Sequence, residues 1–362
     1  MKHRIVLVLL ASLASTAWAA PVNDCPLRDL PFSVDSPLMD VLQSPTAMSA
    51  LNAVWPGARS MPAWMSGTTV PHLSAVLTLR SAASLEGFPP LERVDAALRA
   101  VPVTDADKAK RCARYDEDAP ELQVAPGSRK LLVFEKVNGF FHGEAIAAAR
   151  GALKGMAQRR GWSVTFTDKA GVMTPALLRQ FDAVVWNNVS GDVLTLPQRA
   201  AFRSYVEAGG GFVGLHGSGG DGATFWDWYV DTLVGARFKG HPMKPQFQDA
   251  RVVVEDAKNP LVAGLGSGWT MKDEWYSFTR NPRAGGVTVL AKLDETTYSP
   301  GDLAMGGDHP IAWTRCVGSG RSFYSAIGHR AESYDEPFNV KLMEQATAWA
   351  AGDGGPACGI QR

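Results

Sequence analysis

Between Lys130 and Leu215 this chain alternates strand-like apolar runs with helical stripes, and that alternation constrains its fold more than any other feature. Leu131 to Phe134, Trp162 to Phe166, Asp182 to Trp186 and Gly211 to Leu215 are short runs rich in β-branched and aromatic residues. After the first run, Ile146, Ala149, Leu153, Met156 and Ala157 recur at helical spacing within Glu144 to Arg160. Pro197 to Glu207 reads as a second helix, between the third and fourth strands. Strands joined by helices of this length lie parallel, through right-handed crossovers. The expected fold class is therefore α/β with a parallel sheet. A helix over Ala223 to Leu233, strand-like runs at 251–255, 286–292, 311–315 and 322–326, and a helix from Pro337 to Ala350 complete the pattern.

The chain before this region differs in kind. Residues 1–19 join Lys2, His3 and Arg4 to a short apolar stretch and end in Ala17-Trp18-Ala19, which reads as a secretory signal cut after Ala19. The apolar stretch is shorter than the roughly 18–20 residues a membrane span needs. The expectation is a periplasmic or secreted protein with no membrane partner after cleavage. Overall charge balances at 36 basic against 36 acidic residues, and loss of Lys2 and Arg4 leaves 34 against 36, a net of −2. Nothing in that balance favours nucleic acid.

Residues 20–128 read as a small Pro-rich helical accessory module. It has helical patterns at 38–42 and 91–98, and helix starts at Asp35-Ser36-Pro37 and Ser44-Pro45. Ala125 to Ser128 reads as a linker, 129–352 as the α/β domain and 353–362 as a tail. Four cysteines in an oxidising compartment favour disulfides, with three possible pairings. Pairing within each unit gives Cys25–Cys112 and Cys316–Cys358.

Sites on open α/β sheets form beyond the carboxyl ends of the parallel strands. There this sequence places Asn138 to His142, Asn187-Asn188-Val189-Ser190 and His216-Gly217-Ser218. These hydrogen-bonding groups suit a polyol better than a phosphate. Gly217, Gly219 and Gly222 match G-x-G-x-x-G, but after the fourth strand rather than the first, so a dinucleotide fold is rejected. Gly214-Leu215-His216-Gly217 reads as a strand-to-helix elbow with His216 at its tip.

Five motifs in order, FEKVNGFFH, GGGFVGLHGSGG, MKDEWYSF, HPIAWTR and GRSFYSAIGHRAESYDEP, resemble the trehalose-utilisation (ThuA-like) family over about residues 130–351. The resemblance implies a flavodoxin-like fold related to class I glutamine amidotransferases, and a role in disaccharide catabolism with substrates that include keto-sugars. Those amidotransferases carry a cysteine nucleophile at the elbow. His216 stands there in this chain, which excludes a thioester route to ammonia. The same resemblance reads His329 and Glu332 as the amidotransferase His/Glu pair put to another use.

The expected catalytic set is His142, His216, His329 and Glu274, acting by acid–base chemistry. The expected substrate-binding set is Asn187, Asn188, Ser218, Asp273, Trp275 and Tyr276; of Trp226, Trp228, Tyr229, Trp275 and Tyr276, at most one or two are expected to contact ligand and the rest to be core. Asp273 and Glu274 are adjacent on a strand, so only one carboxylate can enter a site. His142, His216 and His329 with one of those carboxylates would suit zinc or another divalent ion. Loop positions before proline assign local roles to His241 and His309. A small-molecule carbohydrate is the expected partner. Three readings follow: a sugar hydrolase or isomerase, a noncatalytic sugar-binding protein on an inactivated amidotransferase scaffold, and a metal-dependent hydrolase.

Overall fold

In the computed structural model, residues 23–85, 87–220 and 226–359 are described; the expected signal segment lies outside them. Nine strands form one mixed sheet in the order β2-β1-β3-β4-β11-β10-β9-β6-β7. Its first five members, β2 (Ser163–Thr167), β1 (Lys130–Phe134), β3 (Ala183–Asn187), β4 (Gly211–Leu215) and β11 (Gly320–Ser325), are mutually parallel. That is the flavodoxin-like arrangement, in which strand order reverses between β1 and β3.

The helices between the parallel strands follow from their apolar stripes. α5 (Gly143–Arg160) buries Ile146, Ala149, Leu153, Met156 and Ala157, and ends where Gly161 turns left-handed at φ 67°. α7 (Leu196–Glu207) begins with a capping box between Thr195 and Gln198. The one-turn α6 (Pro175–Leu178) lies between β2 and β3. α8 (Pro337–Ala350) has Glu336 as its N-cap.

The rest of the sheet is antiparallel: β10 (His309–Val317), β9 (Thr288–Asp294), β6 (Phe247–Val254) and β7 (Gly268–Glu274). A separate short pair joins β5 (Phe238–Gly240) to β8 (Ser277–Phe278). The helix expected from Ala223 begins outside the described residues, and Trp228–Val234 is a π-helix.

Of the aromatic rings weighed as sugar faces, Tyr229 lies in the core, where most were expected, and Trp226 and Trp228 pack on it half-buried. Tyr229 stacks on the fully buried Trp186 at 4.5 Å between centroids, and its hydroxyl donates to the Ser218 carbonyl at 2.7 Å. Trp228 donates its indole N–H to Glu207 at 3.1 Å.

The N-terminal part carries α1 (Leu38–Gln43), α2 (Pro45–Val54), α3 (Leu91–Arg99) and α4 (Asp105–Cys112) around its own cluster of Phe32, Leu38, Val41, Leu51, Val94 and Leu98. Ser44 caps α2 with Pro45 at its first position, as the sequence predicts. Both expected disulfides are present, Cys25–Cys112 and Cys316–Cys358.

The N-terminal part is fastened to the sheet rather than strung from it. Leu196 N–H donates to Asp24 O at 2.9 Å, Gln198 to Asp116 O at 2.7 Å, and His72 N–H to Asn138 O at 3.0 Å. Leu122 and Val124 pack on the α/β core, and Ser128 N–H donates to Gly161 O at 2.8 Å. The stretch expected as a linker is thus held at its end.

Candidate functional site

Three loops at the carboxyl edge of the parallel sheet each deliver one imidazole to a common point. His142 precedes α5, at the end of the loop leaving β1. His216 follows β4 directly, with φ 35°. Left-handed backbone at a non-glycine residue costs on the order of 1–3 kcal/mol and persists only where its surroundings impose it. Here two bonds do so: Tyr324 O–H donates to the His216 carbonyl at 2.8 Å, and His216 Nδ1 lies 2.7 Å from the Ala326 carbonyl.

His329 leaves β11 through Gly328, whose φ of 132° and nearness to the Tyr334 hydroxyl (2.4 Å from a built Cβ) admit only glycine. Ring centroids are 5.1 Å apart for His142 and His216, 4.8 Å for His142 and His329, and 5.3 Å for His216 and His329. One nitrogen from each of the three lies within 4.8 Å of the others, a set able to hold a divalent cation.

The carboxylate comes from the far end of the sheet. β7 is its last strand, and Glu274 at its end lies against His329 and His216. Glu274 Oε2 lies 3.1 Å from His329 Nδ1 and 3.5 Å from His216 Nε2. Its Oε1 accepts from Gln246 at 2.5 Å and lies 3.2 Å from His241 Nδ1.

Burial alone would raise the Glu274 pKa, but the nearness of the His216 ring and the bond from His329 Nδ1 outweigh it and hold the carboxyl well below the ordinary carboxylate range. His142 moves well below the ordinary imidazole value, first through burial and then through its two cationic-capable neighbours His216 and His329. The Ala326 carbonyl can only accept, so Nδ1 carries the proton of a neutral His216 ring and Nε2 presents a lone pair. That Nε2 and His142 Nδ1 are buried without a hydrogen-bond partner. Leaving a buried polar atom unpaired costs about 1–3 kcal/mol.

Residues 130–350 match the ThuA family, described as trehalose utilisation. This chain belongs to the ThuA family. A ThuA-like protein from Bacteroides uniformis is 25% identical, with a TM-score of 0.55 over 64% of this chain and 95% of its own. One from Parabacteroides merdae is 19% identical, with a TM-score of 0.47 over 62% and 90%. No curated protein matches the sequence. ThuA membership ties the chain to a carbohydrate-related function, and the match begins only after the N-terminal module.

Within this ThuA domain the expected site residues divide into two groups. His142, His216, His329 and Glu274 come together as anticipated. The expected substrate-binding residues are instead largely engaged in holding that cluster. Asn187 donates to Glu135 at 2.8 Å and to Ile146 O at 3.0 Å. Asn188, at φ 53°, donates to Tyr334 at 3.0 Å and to Asn187 at 3.1 Å, and accepts from Gly217 N–H at 3.2 Å. Ser218 donates to the Trp186 carbonyl at 2.8 Å and accepts from Val189 N–H at 3.1 Å. Trp275 is fully buried, its indole N–H on Gln248 O at 2.8 Å.

Asp273 is buried and accepts from the backbone N–H groups of Gly328 (2.6 Å), His329 (3.2 Å) and Arg330 (3.3 Å) and from the Ser333 hydroxyl (2.9 Å). Burial pushes its pKa up against the opposing pull of His216 and these donors. Tyr276 lies against His216 with 4.2 Å between ring centroids.

Two expectations are corrected. His329 pairs with Glu274 rather than Glu332, which is exposed and bonded to Arg330 at 2.9 Å. His241 does not serve locally alone: it joins the cluster through Glu274, and Gln246 was not anticipated at all. Neither carries a sequence signal, because both sit in the loop between β5 and β6, outside the parallel-strand edge. His309 does have the structural role expected, with Nδ1 2.7 Å from Glu295 and Nε2 2.8 Å from the Tyr276 carbonyl.

Proposed function

We propose that this ThuA protein is an exported enzyme that acts on a sugar or keto-sugar, a disaccharide in the first instance, with His142, His216, His329 and Glu274 as its reaction centre. The observation that carries this reading is the convergence of three imidazoles from three loops and one carboxylate from the end of β7. A scaffold that only folded would satisfy each group separately; here they face one another with ring nitrogens left open. Uncharged donors and acceptors dominate the surroundings, which suits a hydroxyl-rich substrate without phosphate. Phe140 and Phe141 (40% and 60% exposed) lie beside His142 and offer faces for the C–H surface of a sugar ring.

The His/carboxylate cluster takes a proton from the substrate or from water and returns it, either at a glycosidic oxygen in hydrolysis or at carbon in isomerisation of a keto-sugar. No cysteine stands at the elbow, so the domain does not work as a glutamine amidotransferase. Export is supported by the N-terminal leader pattern and by the two disulfides, which persist in oxidising compartments.

The test is a screen of disaccharides and their 3-keto derivatives against the mature protein and Glu274→Gln. Turnover that falls at least roughly 100-fold in the variant supports the proposal. Binding without turnover would make the protein a sugar-binding accessory and overturn the enzymatic reading.

A further inference from the structure

We infer that His142, His216 and His329 bind one divalent transition-metal ion, with zinc the best match to the donor set. This names the cofactor of the centre just described, and it rests on that reading only for the use made of the ion.

The contrast among the described histidines carries the inference. His72 places its nitrogens 2.9 Å from Ser74 Oγ and 3.1 Å from the Ala63 carbonyl, and His309 has Glu295 and the Tyr276 carbonyl. His309, fully buried in a structural role, and the half-buried His72 both have each ring nitrogen satisfied. Among the described residues, the buried imidazole nitrogens left without partners are His142 Nδ1 and His216 Nε2, and both belong to one cluster.

Two of the three rings, His216 and His329, are also oriented as metal ligands would be. The Ala326 carbonyl takes the His216 Nδ1–H and leaves Nε2 for a ligand; that nitrogen faces the Glu274 carboxylate at 3.5 Å, a repulsive contact that a cation relieves. Glu274 takes the His329 Nδ1–H at 3.1 Å and leaves that ring's other nitrogen free. A backbone carbonyl and a carboxylate on the remote nitrogens form the outer shell that fixes metal-ligating imidazoles. Three histidines with an adjacent carboxylate match a zinc site that keeps one position open. Donors at zinc bond lengths of about 2.0–2.1 Å lie about 3.3 Å apart, so the present spread of up to 4.8 Å closes by small ring movements on loading.

The test uses the full mature protein, stripped with chelator and titrated with Zn2+ and, separately, Co2+. One equivalent of metal, a raised melting temperature and cobalt absorption bands of a low-coordinate nitrogen site are expected. His329→Ala and His142→Ala should each lower affinity by at least roughly 100-fold, while His72→Gln, in the N-terminal module, leaves it unchanged. Should His216→Ala fail to fold, the other two variants decide. Failure of the wild-type protein to bind either ion at one equivalent overturns the inference, as does binding that survives both His142→Ala and His329→Ala. Metal bound without turnover of any sugar would instead sink the functional reading alone.

Discussion

At the scale of single residues, the site depends on what is absent beside it as much as on what is present. A Cβ on Gly217 would sit 2.9 Å from His142 Cε1, 3.0 Å from its Nδ1 and 3.3 Å from Asn188 Oδ1. Gly217→Ala therefore has to displace the His142 ring. The expected outcome is a destabilisation of about 1–3 kcal/mol together with loss of turnover, read by thermal melting and by kinetics on the same preparation. Unchanged turnover in this variant would mean that the position of His142 does not matter. Which residues would matter was partly legible in the sequence. A histidine ending each of three parallel-strand loops could be read from period and position alone. The hydrogen-bond commitments of Asn187, Asn188 and Ser218 could not, because they depend on partners up to 146 positions away.

At the scale of elements, the parallel half was legible and the return of β7 was not. Each parallel strand is a short apolar run followed by a helix of distinct period, so local pattern and global fold agree. Glu274 reaches the site from the last strand of the antiparallel half, and no local pattern encodes that approach. Asp273 then couples β7 to the loop after β11, by accepting three successive backbone N–H groups and the Ser333 hydroxyl. Strand alternation predicts one carboxylate in the site. In fact one holds the His329 side chain and the other its backbone. Asp273→Asn replaces an acceptor oxygen with a donor facing these groups, and is expected to cost about 3 kcal/mol. Urea denaturation measures it, and a midpoint equal to the parent's would show that the coupling contributes nothing.

At the scale of the whole molecule, two units of different composition share one frame. The cysteine pairing was legible because each pair falls inside a compositional unit; the bonds of Asp24, Asp116 and His72 to the sheet were not, since no pattern in a Pro-rich stretch marks its docking partner. The Cys25–Cys112 bridge spans 87 residues. Replacing both cysteines with serine should lower stability by roughly 2–5 kcal/mol, visible as a reduced melting temperature that reductant does not lower further at this bridge. A melting temperature equal to the parent's would show that docking alone holds the unit. The central claim concerns what this frame presents: three imidazoles and Glu274 acting together on a sugar. Its most direct measurement is kcat/KM for His216→Ala and His329→Ala on the best substrate from the disaccharide and keto-disaccharide screen, with folding verified by circular dichroism. Both folded variants are predicted to lose at least roughly 100-fold; turnover unchanged in both would contradict the account.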